Sequence, residues 1–166
     1  MQFKVGDAVV HPIYGIGHIA TTEERAFSKQ ESRLYYHVVL PKRDIWIAVE
    51  TQEASGLRLV TAKSELDRYR TLLKSRPAPL HKNHHHRHLE IANRLKQGSF
   101  QAICEVVRDL TAWGWRKPLG PTDSATLHKV RNSLYREWAS AAGISTVEAI
   151  REIDSLMVAT QQAFAE

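Results

Sequence analysis

The chain has 166 residues, with 43% hydrophobic residues, 25% charged residues and a formal net charge of +5, which suits one moderate domain or two small ones in a soluble globular protein. No stretch approaches the roughly eighteen apolar residues of a membrane span, and the opening MQFKVGDAVV lacks the basic head, apolar core and cleavage site of a signal peptide, so a cytoplasmic protein is expected. The single cysteine, Cys104, excludes a disulfide framework and a cysteine-based zinc site, and its neighbours predict a buried helix position.

The charge is unevenly placed. Residues 1–65 hold eight basic and eight acidic side chains, whereas residues 66–100 hold eight Lys or Arg against only Asp67 and Glu90. A neutral front half followed by a basic segment predicts two surfaces with two partners.

In chain order, the first sixty or so residues read as short strands. Residues 4–11 carry Val5, Val9 and Val10 at apolar positions; HPIYG then marks a bend before a second strand over residues 16–22. The polar run EERAFSKQESR separates it from LYYHVVL (34–40), PKRD turns the chain, and IWIAV (45–49) and LRLV complete the set. Five short strands fit a small bent barrel of the SH3 or Tudor type. His11 and His18 flank the bend and are expected to be structural.

From residue 62 the period changes from two to between three and four. Leu66, Tyr69 and Leu72/Leu73 predict an amphipathic helix, which SRPAPL breaks. A helix from about His86 to Lys96 is stopped by Gly98, and Ser99 is placed to cap the next, with Phe100, Ile103, Val107 and Leu110 on one face. LTAWGWRKPLGP reads as a long loop or frayed turn. Thr122 or Asp123 starts a helix ending at Gly143, and Ser145 with Glu148 forms the capping box of a last one, with Ile150, Ile153 and Met157 facing inward. The expected architecture is α+β: a small barrel over residues 1–62 and a compact all-α domain over 63–166.

The stretch HKNHHHRHLE, residues 81–90, holds five of the nine histidines. Adjacent histidines on a helix point about 100° apart, so His84, His85 and His86 cannot converge on one zinc ion. His81 with His85, or His84 with His88, would give only two ligands, and no cofactor or metal is expected. A pH response remains open, because imidazole titrates near neutrality. Anion binding accounts for more of the stretch: Lys74, Arg76, Lys82, Arg87, Arg94 and Lys96 surround it, and Lys and Arg supply phosphate contacts. The plainer alternative is a solvated basic linker. No G-x-S-x-G turn, H-E-x-x-H helix or phosphate-binding glycine loop occurs, His128 is expected on the wet side of its helix, and no enzymatic activity is expected.

Three stretches together resemble the bacterial CarD/CdnL transcription regulators: FKVGDAVVHPIYGIGHI (3–19), IANRLKQGSFQAICEVVRDLTAW (91–113) and LGPTDSATLHKVRNSLYREWA (119–139). They cover most of the chain in the family's order. The first also resembles the polymerase-interaction module of transcription-repair coupling factor; the helical tail separates the two. The resemblance implies a non-enzymatic, monomeric regulator. Its barrel would bind the RNA polymerase β subunit through Arg25 and the strand Ile45, Trp46, Ile47 and Ala48. Its helical domain would meet promoter double-stranded DNA at the upstream edge of the bubble, through Lys82, His84, His85, Arg87, His88 and Arg94, and stabilise the open complex. The alternatives are a stand-alone nucleic-acid-binding protein, or a polymerase-binding factor without a working DNA contact. Two departures stand out. Ala48 stands where some members carry arginine, and His84 where many carry a tryptophan that wedges into the minor groove. Trp113 and Trp115 fall in the predicted loop, away from that register, and Trp138 reads as core.

Overall fold

The computed structural model describes residues 2–26 and 31–165. The chain divides into two compact units, residues 1–60 and 61–166.

The front unit is a five-stranded antiparallel sheet in the order β4-β3-β2-β1-β5. Strand β1 (Ala8–His11) pairs with β2 (Gly15–Arg25), with His11 opposite Gly15 across the bend. Gly15 takes a left-handed φ of 82°, which costs glycine nothing. The His11 ring holds the bend from inside, its Nδ1 accepting from the backbone N–H groups of Ile13 and Tyr14 at 3.1 and 3.3 Å. Partial burial lowers its pKa below the ordinary imidazole value. His18 makes no such cap; it lies exposed on β2 opposite Ala8. A Cβ on Gly17 would collide with the Val39 carbonyl oxygen, so close approach of backbones explains that glycine.

Strand β2 runs through Arg25, beyond the expected end at residue 22, because β3 (Arg33–Val39) continues to pair with it as far as Arg25↔Arg33. The shift in register between Ile19 and Thr21 bends it. Residues 27–30 of the predicted polar connection lie outside the described residues. Strand β4 (Asp44–Ala48) pairs with β3. A one-turn helix not anticipated from the sequence, α1 (Gln52–Ser55), then leads to β5 (Arg58–Leu59), which returns to β1. Alternation puts Val9, Ile19, Tyr36, Val38 and Ile47 inward, where they join Phe3, Leu40 and Leu57 in one core. The layout matches the Tudor-like barrel expected from the strand pattern.

The second unit is helical. A 3-10 turn leads into α2 (Leu66–Leu73), and the buried Glu137 carboxylate accepts from both the N–H and the hydroxyl of Thr61 at its start. A strap, residues 75–80, crosses to α3 (His84–Lys96). Then come α4 (Phe100–Trp113), α5 (Pro121–Ala142) and α6 (Thr146–Phe164). Several boundaries were legible: Ser99 accepts from Ala102 N, Gly143 is left-handed at φ 70°, and Ser145 accepts from Glu148 N. Three differ. Asn83 caps α3 by accepting from His86 N, so the helix starts at His84. Residues Leu110–Trp113 continue α4 instead of fraying, since Leu110 is fully buried and Trp113 packs on the same core. Proline at the first position, where no N–H is needed, starts α5 at Pro121. Leu66, Leu73, Cys104, Leu110, Leu134, Trp138 and Ile153 lie in one core. Among the described residues no helix is long and apolar enough to cross a membrane.

Candidate functional site

In the front unit, alternation along β4 turns Trp46 and Ala48 away from the core and Ile45 and Ile47 toward it. Ile47 is buried and Ile45 packs against the core. Ile47 therefore presents almost no side-chain surface, and Ile45 keeps only part of its own. Trp46 is the centre of the outer face. Its indole N–H donates to Glu23 at 2.6 Å, the His37 ring stacks on it in parallel at 4.7 Å, and the Arg25 guanidinium lies over it at 4.5 Å. Arg25 also pairs with Glu23 at 3.2 Å, and His37 Nε2 meets Asp44 at 2.9 Å. The indole hydrogen bond holds the Glu23 carboxyl below the usual carboxylate range, helped by Thr21 and Arg25 and opposed by desolvation. The register makes this possible: β2 and β4 flank β3, so Glu23, His37 and Trp46 project from neighbouring strands on one side. The result is a flat aromatic plate with a fixed cation. Strand β4 is also an edge of the sheet, with backbone groups open to a partner strand.

In the helical unit the histidine stretch straddles the start of α3. His81 precedes the helix, and its Nδ1 accepts from Asn83 N at 3.0 Å. Its ring therefore pairs with His86, at 4.8 Å, and not with the His85 one turn along an uninterrupted helix. Lys82, His84, His85 and His88 are exposed. Among the described residues no group of three or more His, Cys, Asp or Glu is arranged to hold a metal ion.

Arg87, expected among the DNA contacts, lies inside the helical unit. It is 7% exposed, and its Nε and Nη2 donate to Asp123 at 2.9 and 2.8 Å. Its Nη1 donates to the carbonyls of His81 and Lys82, and its guanidinium lies over the Trp113 ring at 5.0 Å. A buried arginine with these partners cannot reach a phosphate. Arg94 is likewise taken up, by Asp109 at 2.9 Å and Glu105 at 3.4 Å. Arg87 instead gathers the first turn of α3, the last residue of α4 and the first turn of α5 at one corner. The turn from α4 to α5 carries two exposed cations that the sequence reading passed over, Arg116 and Lys117. Their signal was there, in WRKP, two and more residues beyond Trp113, whose ring lies under the Arg87 guanidinium. Trp113 and Trp115 both pack against the core, so neither supplies a free wedge.

Comparison with known proteins follows the same division. The model of the CarD-like/TRCF RID domain matches residues 3–60, and that of the CarD C-terminal domain matches residues 69–154, more than half of the chain. The chain belongs to the CarD family. A CarD-family relative in Bacillus subtilis (strain 168), named "Putative transcription factor YdeB", is 26% identical over 146 residues, spanning 87% of this chain and 95% of that protein. CarD proteins are transcription factors, and the front unit is of the type that interacts with RNA polymerase. The front core lies within the first matched domain, and most of the helical core within the second, with Leu66 and Met157 just outside it.

Proposed function

We propose that this CarD-family chain is a non-enzymatic regulator that binds the RNA polymerase β subunit and prolongs the life of the open promoter complex by touching duplex DNA at the upstream edge of the bubble. Arg25, Trp46 and Ala48 form the polymerase-facing plate, with the β4 edge beside it. Lys82, His84, His85 and His88 form the DNA-facing side, joined by Arg116 and Lys117. The observation that carries the reading is the exposed cluster of lysine and imidazole side chains at the start of α3, in a chain whose front unit is a polymerase-interaction module. Phosphate contacts of this kind fix orientation without reading sequence.

The test is open-complex lifetime with purified RNA polymerase after a competitor challenge. The wild-type chain lengthens it; Trp46→Ala removes the effect by loss of polymerase binding. His84→Ala shortens it by removing the side chain that makes the contact, and His84→Trp lengthens it further through ring area against partly unstacked bases. No effect of the wild-type chain sinks the reading. One observation favours a second reading, a polymerase-binding factor without a DNA contact: the wedge register holds a histidine, and Arg87 and Arg94 are spent internally. Polymerase binding with no response to any substitution at His84 or Lys82 would select it.

A further inference from the structure

The corner around Arg87 does more than hold helices together. Nη2 of Arg87 carries two hydrogens. One goes to Asp123 at 2.8 Å, and the other faces Nδ1 of His84 at 3.5 Å. A guanidinium offers donors only. The His84 nitrogen opposite it can only accept, and in the tautomer that does so the ring carries its proton on Nε2. We propose that Arg87, locked by Asp123, is a positioning residue for His84: it fixes the ring so that Nε2–H is presented as a donor to an acceptor atom of duplex DNA. The inference rests on the DNA-contact reading above and assigns that contact a chemistry.

Three observations support it. The bracket is rigid, since the Arg87 and Asp123 side chains are only 9% and 4% exposed, and a buried charge pair does not relax toward solvent without large cost. The same guanidinium fixes the main chain next to His84, through the carbonyls of His81 and Lys82, while Asn83 caps the turn that His84 begins. The His84 ring itself is exposed, so its outer nitrogen is not consumed inside the protein. Phosphate oxygens, and the N3 and O2 acceptors of the minor groove, suit a single fixed N–H. A tryptophan at this register contributes area. A histidine held by arginine contributes direction.

The test uses the full chain and a fluorescent promoter duplex at fixed salt. A Gln amide reaches the place of Nε2, whereas an Asn amide reaches only that of Nδ1. His84→Gln keeps the outer donor but gives Arg87 no acceptor, and is expected to weaken binding about threefold; His84→Asn and His84→Ala each weaken it about tenfold, the cost of one hydrogen bond to a charged or strongly polar acceptor. Arg87→Lys keeps the charge but loses the fork. It is expected to weaken binding about as much as His84→Gln, and Arg87→Lys combined with His84→Ala no more than His84→Ala alone. In nitrogen-resolved NMR, Arg87→Lys shifts the His84 Nδ1 signal and leaves that of His88 in place, a change that a purely structural role would not produce. Equal affinities of the Gln and Asn variants, or additive losses in the double variant, overturn the inference while leaving DNA binding intact. A wild-type chain that does not bind the duplex overturns both. Because His84 is exposed, the Gln and Asn variants still test the outer donor if Arg87→Lys fails to fold, and full wild-type affinity in His84→Gln, which gives Arg87 no acceptor, overturns the positioning role.

Discussion

A guanidinium has five N–H groups, and at Arg87 each has a partner: Asp123 takes two, the His81 and Lys82 carbonyls two, and His84 the fifth. This accounting separates it from Lys82, its exposed neighbour, although the two are equal as sequence charges. It also sets a measurable contrast. If Lys82 meets a phosphate, Lys82→Ala lowers the slope of log affinity against log salt by about one, the release of a single counterion. Arg87→Lys lowers affinity but leaves the slope unchanged, since no phosphate contact is lost. Titration of duplex binding between low and physiological salt reads both. A drop of one in the slope for Arg87→Lys would return that residue to the phosphate-contact set.

At the scale of elements, local signals carried their information well. Strand alternation, the capping serines at 99 and 145 and the glycine stop at 143 depend on neighbours within a few residues, and each was legible. The strap between α2 and α3 shows where that ends. Pro77 and Pro79 announce a break, but nothing nearby says where it docks. Both prolines lack a donor, so Ala78 supplies the only backbone N–H of the Pro-Ala-Pro triplet, and it donates to the buried carboxylate of Asp109 at 2.9 Å. Asp109, fully enclosed, also takes Arg94 and Arg108 at 2.9 Å each, while Arg108 reaches back to Ser75 at 2.7 Å. The aspartate of VVRDL is thus the anchor that delivers the strap, and with it the histidine stretch, to the start of α3. Its partners lie 31 and 15 residues away, beyond any periodicity argument. Asp109→Asn leaves two arginines short of their counter-charge, and is expected to cost about 3 kcal/mol. Helical circular dichroism through a thermal melt would register that as a fall of more than 10 °C, at roughly 4–8 °C per kcal/mol for a unit of this size. A shift within a few degrees would mean that the strap is held by Leu80 burial alone.

Across the whole molecule, the sequence charge overstated the binding surface. The basic excess in residues 66–100 includes five arginines, and each has an internal partner. Arg68 meets Gln101, Arg70 pairs with Glu152 and Asp67, Arg76 lies over Phe164, and Arg87 and Arg94 are paired as above. The lysines Lys74, Lys82 and Lys96 are exposed, which fits the division between a planar fork suited to buried pairing and a well-hydrated point charge. Arg70, Arg87 and Arg94 thus serve the helical unit, while Arg68 and Arg76 keep exposed surface alongside the lysines and imidazoles. The two hydrophobic cores share no residue: Ile19 lies at the centre of one and Leu110 of the other, each with no exposed surface. Separate cores predict separate unfolding. Ile19→Val removes one methylene and should cost about 0.5–1.5 kcal/mol, whereas Leu110→Ala should cost about 2–5 kcal/mol. Hydrogen exchange resolves the outcome by segment. With Ile19→Val, amides of β3 exchange faster while those of α5 keep their wild-type protection; Leu110→Ala does the reverse. The barrel, near the lower size limit for a self-sufficient core, is expected to show the lower absolute protection in the wild-type chain. Loss of protection in both units from either substitution would show that they fold as one cooperative body, and that the Trp46 plate and the Arg87 corner share a single stability.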